Sequence, residues 1–247
     1  MEAITAVRPS QRVEHAFFLG MTLLTTVIVL RGFAPSFFLR GIVAPGGHSY
    51  LDPPLQPIRW LFIAHGLIFS SWIALTLTQV TLVASGRTDL HRRLGRVAFG
   101  LAPLMVVIGT IVAGYAAVHG FHDVPMPSAT FVTVPVCDLV LYAAFVTAGL
   151  AARPQPQTHK RWMLLAMIVI AEAGWGRIDA LNPQSLPPWV STELVLLLPL
   201  IAWDLTRLGR LNAATLWGGI AMACAYSLRL WVGASPAWLA IVKSALG

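Results

Sequence analysis

Gly86-Arg87-Thr88-Asp89-Leu90-His91-Arg92-Arg93-Leu94-Gly95-Arg96 packs four arginines, an aspartate and a histidine into eleven residues, between two runs that carry almost no charge. Each flanking run, Ile58 to Ser85 and Arg96 to Val118, is long enough for the roughly 20 apolar residues that cross a bilayer core about 30 Å thick. The stretch therefore reads as a basic turn between two membrane-crossing helices. Working outward from it, the rest of the chain repeats the pattern.

Of the 247 residues, 57% are hydrophobic and 11% are charged, against about a quarter charged in a soluble domain. That composition excludes a soluble globular protein. The formal charge of +7 lies in short gaps between apolar runs, where it signals topology and not a nucleic-acid partner. Cys137 and Cys224 both sit inside apolar runs without Cys-x-x-Cys spacing. They read as small core residues, neither a disulfide framework nor a thiolate metal site.

Seven apolar segments are expected to span: Glu14 to Phe33, Ile58 to Ser85, Arg96 to Val118, Thr130 to Ala152, Arg161 to Leu181, Val190 to Leu208 and Ala213 to Val232. Prolines precede the second, fourth and sixth, as they do at helix starts. The expected fold is an all-α polytopic bundle of about seven transmembrane helices, a single membrane domain over residues 1–247. Arg8 and Arg12 before the first run give it a signal-peptide layout, but Arg31 and the continuing segment Gly32 to Leu39 favour an uncleaved helix. Alternate gaps hold eleven of the seventeen Lys and Arg residues, which puts the N-terminus in the cytoplasm and the C-terminus outside. The tail from Pro236 suits a helix lying at the outer interface.

The basic turns echo one another. His91-Arg92-Arg93-Leu94 and His159-Lys160-Arg161-Trp162 each stand just before a helix, and Asn212 takes the histidine's place in Gly209-Arg210-Leu211-Asn212. Three helix hairpins, 58–118, 130–181 and 190–232, thus turn alike. His91 and His159 would approach one another if their helices are neighbours, as bis-histidine ligation of a b-type haem requires, with arginines nearby for the propionates.

An ionisable residue inside the bilayer costs about 2.5 to 3.5 kcal/mol, so each needs a partner, a water cavity or a function. His65, Asp138, Glu172, Arg177, Glu193 and Arg229 fall in the outer half or middle of their spans and are expected to converge on a polar cavity. The plainer alternative pairs Glu193 with Arg229 and Arg177 with Asp179. Glu172 reads as the deepest acid, and Asp138 follows Pro135, expected to kink its helix. Glu172 and Asp138 are the candidate catalytic residues, and Trp72, Trp175, Trp203 and Trp217 are candidate cavity walls. Asp204 is expected to pair with Arg207 one turn on, and Thr88 or Asp89 to cap the third helix. His65, His119 and His122 form a nitrogen-rich candidate metal set. No Walker loop, GxGxxG, GxSxG or HExxH pattern occurs. The seventh segment has no lysine for a retinal Schiff base.

The segment from His65 through Gln79-Val80-Thr81-Leu82-Val83-Ala84-Ser85-Gly86-Arg87-Thr88-Asp89-Leu90-His91-Arg92-Arg93-Leu94-Gly95, with Thr158-His159-Lys160-Arg161-Trp162-Met163, resembles a large group of bacterial multi-helix membrane proteins. It is loosely similar to cytochrome b561-like haem-handling units, which set histidines on paired helix hairpins. The resemblance covers roughly Ile58 to Leu181 and implies that His65, His91 and His159 are signature, cofactor-binding positions in a bacterial cytoplasmic membrane. The leading expectation is a polar intramembrane cavity binding haem b or a transition metal for a redox role. The alternatives are an enzyme acting on a lipid or isoprenoid through buried carboxylates, and a transporter or assembly subunit. Expected partners are membrane lipids and a hydrophobic small molecule.

Overall fold

The computed structural model describes residues 11–40, 42, 59–120, 126–181 and 191–246. Its helices are α1 (Gln11–Phe33), α2 (Arg59–Ala84), α3 (Thr88–Leu94), α4 (Ala98–His119), α5 (Ser128–Phe131), α6 (Thr133–Ala151), α7 (Pro156–Trp175), α8 (Leu198–Leu208), α9 (Ala213–Gly233) and α10 (Pro236–Leu246). A π-helical turn, Ala34–Phe38, continues α1, and 3-10 stretches Gly95–Val97 and Thr192–Leu197 lead into α4 and α8. Among the described residues there is no strand. Gln11–Phe38, Arg59–Ala84, Thr88–His119 and Ser128–Ala151 are long and apolar enough to cross a membrane. The chain is an all-helical membrane bundle.

α7 is its axis, packed against α1, α6 and α9. Leu164 through Ala171 are all buried, the pattern of a helix enclosed on every side. Glycines set the closest approach: a Cβ on Gly174 would stand 2.7 Å from the Val29 Cα, and one on Gly32 would meet the Gly174 backbone. Small residues at a crossing let two membrane helices touch backbone to backbone.

This axis is displaced from the expected span. α7 opens five residues before Arg161, because Pro156 suits the first helical turn. It closes at Trp175, well before Leu181, in a run of tight turns: the N–H groups of Gly176, Arg177 and Ile178 donate to the carbonyls of Glu172, Gly174 and Trp175. The Trp175 indole N–H donates to the Thr192 hydroxyl (2.9 Å) and to the Leu181 carbonyl (3.2 Å), tying the returning chain to the helix end. Glu172 is therefore in the last turn, not at mid-helix.

The basic turn of residues 86–96 contains a helix of its own. Gly86 takes φ 77°, and the Arg87 N–H donates to the Leu82 carbonyl (2.8 Å) to close α2. α3 starts at once, with Arg87 at the N-cap position and no side-chain cap. Thr88 and Asp89 fall inside the first turn and cap nothing, and Asp89 instead pairs with Arg87 at the surface, 3.9 Å away.

In the third hairpin the Asn that replaces histidine is a cap, since Asn212 Oδ1 accepts from the Ala214 N–H at 2.9 Å. The Asn212 N–H donates to Asp204 Oδ2 (2.9 Å). Arg161 Nε and Nη2 donate to Asp204 Oδ1 at 2.9 and 2.5 Å, and both side chains are fully buried. Gln157 satisfies the remaining guanidinium nitrogen through its carbonyl and its side-chain oxygen. Its amide also donates to Glu14, which pairs with Lys160. One network thus joins α1, α7, α8 and the start of α9. The expected Asp204–Arg207 pair does not form. Asp204 faces donors from two other helices, while Arg207 lies over the Trp203 ring, 5.3 Å from its centre.

Gly174→Val should force α1 off α7, costing about 1 to 3 kcal/mol for overpacking. A detergent-solubilised variant melting at the wild-type temperature would refute that crossing. Breaking a buried ion pair from one side costs about 3 to 5 kcal/mol, whereas replacing both partners by apolar groups is far milder. Asp204→Ala should therefore unfold more readily than Arg161→Met/Asp204→Leu, measured by thermal scanning of monodisperse protein.

Candidate functional site

Two clusters of polar side chains occupy opposite ends of the bundle. The first gathers around Arg229, one turn before the end of α9. Its Nη2 donates to Glu172 Oε1 and Glu193 Oε1, each at 2.9 Å, and Nη1 reaches Asp138 Oδ1 at 3.5 Å. Asp138 comes from the start of α6, Glu172 from the last turn of α7 and Glu193 from the 3-10 stretch before α8. Pro135 has no N–H to offer the Phe131 carbonyl one turn before it, and the run Ser128–Ala151 is interrupted at Val132, between α5 and α6. The side chains of Asp138, Glu172, Glu193 and Arg229 are 14, 12, 7 and 9% exposed. The expected Glu193–Arg229 pair is present, within a larger set.

The Arg229 guanidinium also lies over the Tyr226 ring, 4.4 Å from its centre. Tyr226 is 1% exposed, and its hydroxyl has no hydrogen-bond partner among the described residues. Sequence gave no sign of Tyr226. Its only signal is its position one turn before Arg229 on the same helix.

His65 and Arg177, expected in the same cavity, stand apart from these contacts. α2 packs against α1 and α4, and the His65 ring lies on Phe69 with centres 4.1 Å apart. Its Nδ1 is buried without a partner. Arg177 donates to the Ala173 carbonyl at 2.5 Å and covers the Phe33 ring. His119, of the candidate metal set, stacks on Tyr115 with rings 3.9 Å apart, and its Nδ1 meets the Tyr115 carbonyl at 3.0 Å. His122 lies outside the described residues. No group of three or more His, Cys, Asp or Glu among the described residues is arranged to hold a metal. The tryptophans have different surroundings. Trp72 is fully buried against Tyr142, Trp203 stacks on Phe17, and Trp217 is 62% exposed.

The second cluster is at the basic end. The elbow of α3 and the first turn of α7 bring His91 and His159 together, ring centres 6.4 Å apart and planes at 81°. His159 Nδ1 is 2.7 Å from the Gly149 carbonyl. A carbonyl can only accept, so Nδ1 carries the proton and Nε2 keeps a free lone pair. Among the described residues His91 Nδ1 is buried without a partner of good hydrogen-bond geometry, as is Oε1 of Gln79, whose backbone interacts with the His91 ring. Gly149 also permits close packing: a Cβ there would stand 2.8 Å from Met163 Sδ. His65 precedes Gln79 by fourteen residues of α2, about 21 Å along a helix. One centre therefore cannot take all three histidines.

Compared with protein-family models, with curated proteins and with solved structures, the chain matches none.

Arg229 is, among the described residues, the one cation hydrogen-bonded to these three acids, so Arg229→Met should leave buried carboxylates unpaired and cost about 3 to 5 kcal/mol. Arg229→Met/Glu172→Gln/Glu193→Gln should recover most of that loss. Size-exclusion profiles and melting curves of both proteins check it, and equal stability would show that the four side chains do not act as a unit.

Proposed function

We propose that the protein is a membrane redox protein whose metal centre is ligated by His91 and His159, either a haem iron or a single transition-metal ion. The observation that carries this reading is the 6.4 Å separation of the two imidazole rings. Two imidazoles bound trans to one ion, each nitrogen about 2.0 to 2.1 Å from it, have ring centres about 6 Å apart. The chemistry of the donors fits as well. His159 offers Nε2 while Gly149 fixes its other nitrogen, the arrangement that orients metal-bound histidines. His91 Nδ1 has no partner among the described residues that meets hydrogen-bond geometry, although the Gln79 backbone interacts with the ring.

In this reading His91 and His159 would hold the metal centre, and were it a haem, Arg92, Arg93 and Arg153 at the same end would meet its propionates. A bound metal would supply one-electron chemistry. The chain's own part is to hold two neutral imidazoles at fixed separation. Seven spans, with the basic turns in the cytoplasm of a bacterial cell and the C-terminus outside, complete the proposal. The excess of Lys and Arg on the turns of the hairpins supports it, and the centre then lies near the cytoplasmic face.

The test is a visible spectrum and elemental analysis of the purified wild-type protein. A Soret band, or a transition metal near one equivalent, is expected, with at least tenfold loss in His91→Ala and His159→Ala. Full metal content in both variants, or no metal and no Soret band in wild type after expression with haem precursor and iron or copper, would sink the reading.

A further inference from the structure

At the other end of the bundle, Asp138, Glu172 and Glu193 face Arg229, among the described residues the one guanidinium hydrogen-bonded to them. If all three acids are ionised, the set carries two negative charges in excess. Ions taken out of water are costly when unpaired, so this set needs a further positive charge. A metal ion is not what the geometry offers. Among the described residues no group of three or more His, Cys, Asp or Glu is arranged to hold a metal, whereas Glu172 and Glu193 meet on one guanidinium nitrogen and the Asp138 and Glu172 carboxyls are close enough to hydrogen-bond. A proton on one of the carboxyls needs no metal-holding arrangement.

A second, separate observation points to the same place. The Tyr226 hydroxyl, 1% exposed and without a partner, belongs to the ring that lies beneath the guanidinium. Among surrounding charges, the phenol feels Asp138 most strongly, then Glu172, Arg229 and Glu193. A buried hydroxyl left unsatisfied is costly, and the acceptors nearest in chemistry are the carboxylates of this set.

We propose that the Arg229 cluster is a proton-exchange site, in which one proton is shared among the carboxyls of Asp138, Glu172 and Glu193 and the Tyr226 hydroxyl hydrogen-bonds to the acid left ionised. The proton leaves a carboxyl O–H for water and returns to a carboxylate oxygen, and no bond to carbon changes. Asp138 and Glu172, 14 and 12% exposed against 7% for Glu193, are the carboxyls through which it exchanges. The groups that face the proton are Arg229 and Tyr226 on α9, Glu172 on α7, Glu193 before α8, and Asp138 with its neighbour Cys137 on α6. This inference does not depend on a metal at His91 and His159, and its test reads a different signal.

Infrared difference spectroscopy of the full chain in liposomes, stepped in pH with choline chloride as the salt, tests it. Wild type should show the carbonyl stretch of a protonated carboxylic acid at pH 7, lost at high pH. Glu172→Gln and Asp138→Asn should remove or shift the band, Tyr226→Phe should shift it without abolishing it, and Asp179→Asn should leave it alone. Glu193→Gln provides a further isosteric probe if either of the first two fails to fold by circular dichroism. A band that is missing at pH 7, or untouched in every folded cluster variant, would overturn the proposal. So would a band that vanishes at constant pH when NaCl replaces choline chloride, since the counter-charge would then be Na+.

Discussion

The structure depends on the enclosure of α7. A helix with protein on all sides has no water to solvate charge, so every ionic group it carries must find its counter-charge within the bundle. α7 carries Arg161 near one end and Glu172 near the other, and each recruits a partner from another helix. Arg161 takes Asp204 and Gln157. Glu172 takes Arg229, which brings Asp138 and Glu193 with it. α6 and α9, which supply Asp138 and Arg229, also pack on α7, whereas Asp204 comes from α8, outside the set of helices that enclose it.

The two ends then differ in what remains after pairing. At the Arg161 end each guanidinium nitrogen has a partner, and Asp204 accepts on both oxygens. That network is complete and serves to hold helices. At the Arg229 end there are more acids than the cation can neutralise, and a phenol hydroxyl stays unpaired. The contrast between a closed network and an open one separates a structural ion pair from a candidate site, although depth and composition are alike.

The helical membrane class was legible from the length and polarity of the apolar runs, and the four long spans fall near their expected bounds. The approach of His91 to His159 was visible as an echo between two basic turns, although the first turn contains a short helix that the second lacks. Partner choice was less legible. Asp204 has Arg207 three residues away, but the local pair loses to Arg161, which no sequence spacing relates to it. Glu172 stands in the last turn and not at mid-helix because the chain turns after Trp175, whose indole N–H binds the returning segment, a contact that no local spacing announces. His65 shares the composition of its surroundings with the acids, yet its helix packs on the other flank of the bundle.

Arg161 and Glu172 are eleven residues apart on one rigid helix, and each is fastened to elements that do not belong to it. α7 is in mechanical terms a rod clamped at both tips. Sliding it by a single residue, about 1.5 Å, would strain both clamps at once, so motion of the bundle must run through rotation of the outer helices around this rod. The amide hydrogens of its central turns should accordingly be the last in the molecule to exchange with solvent.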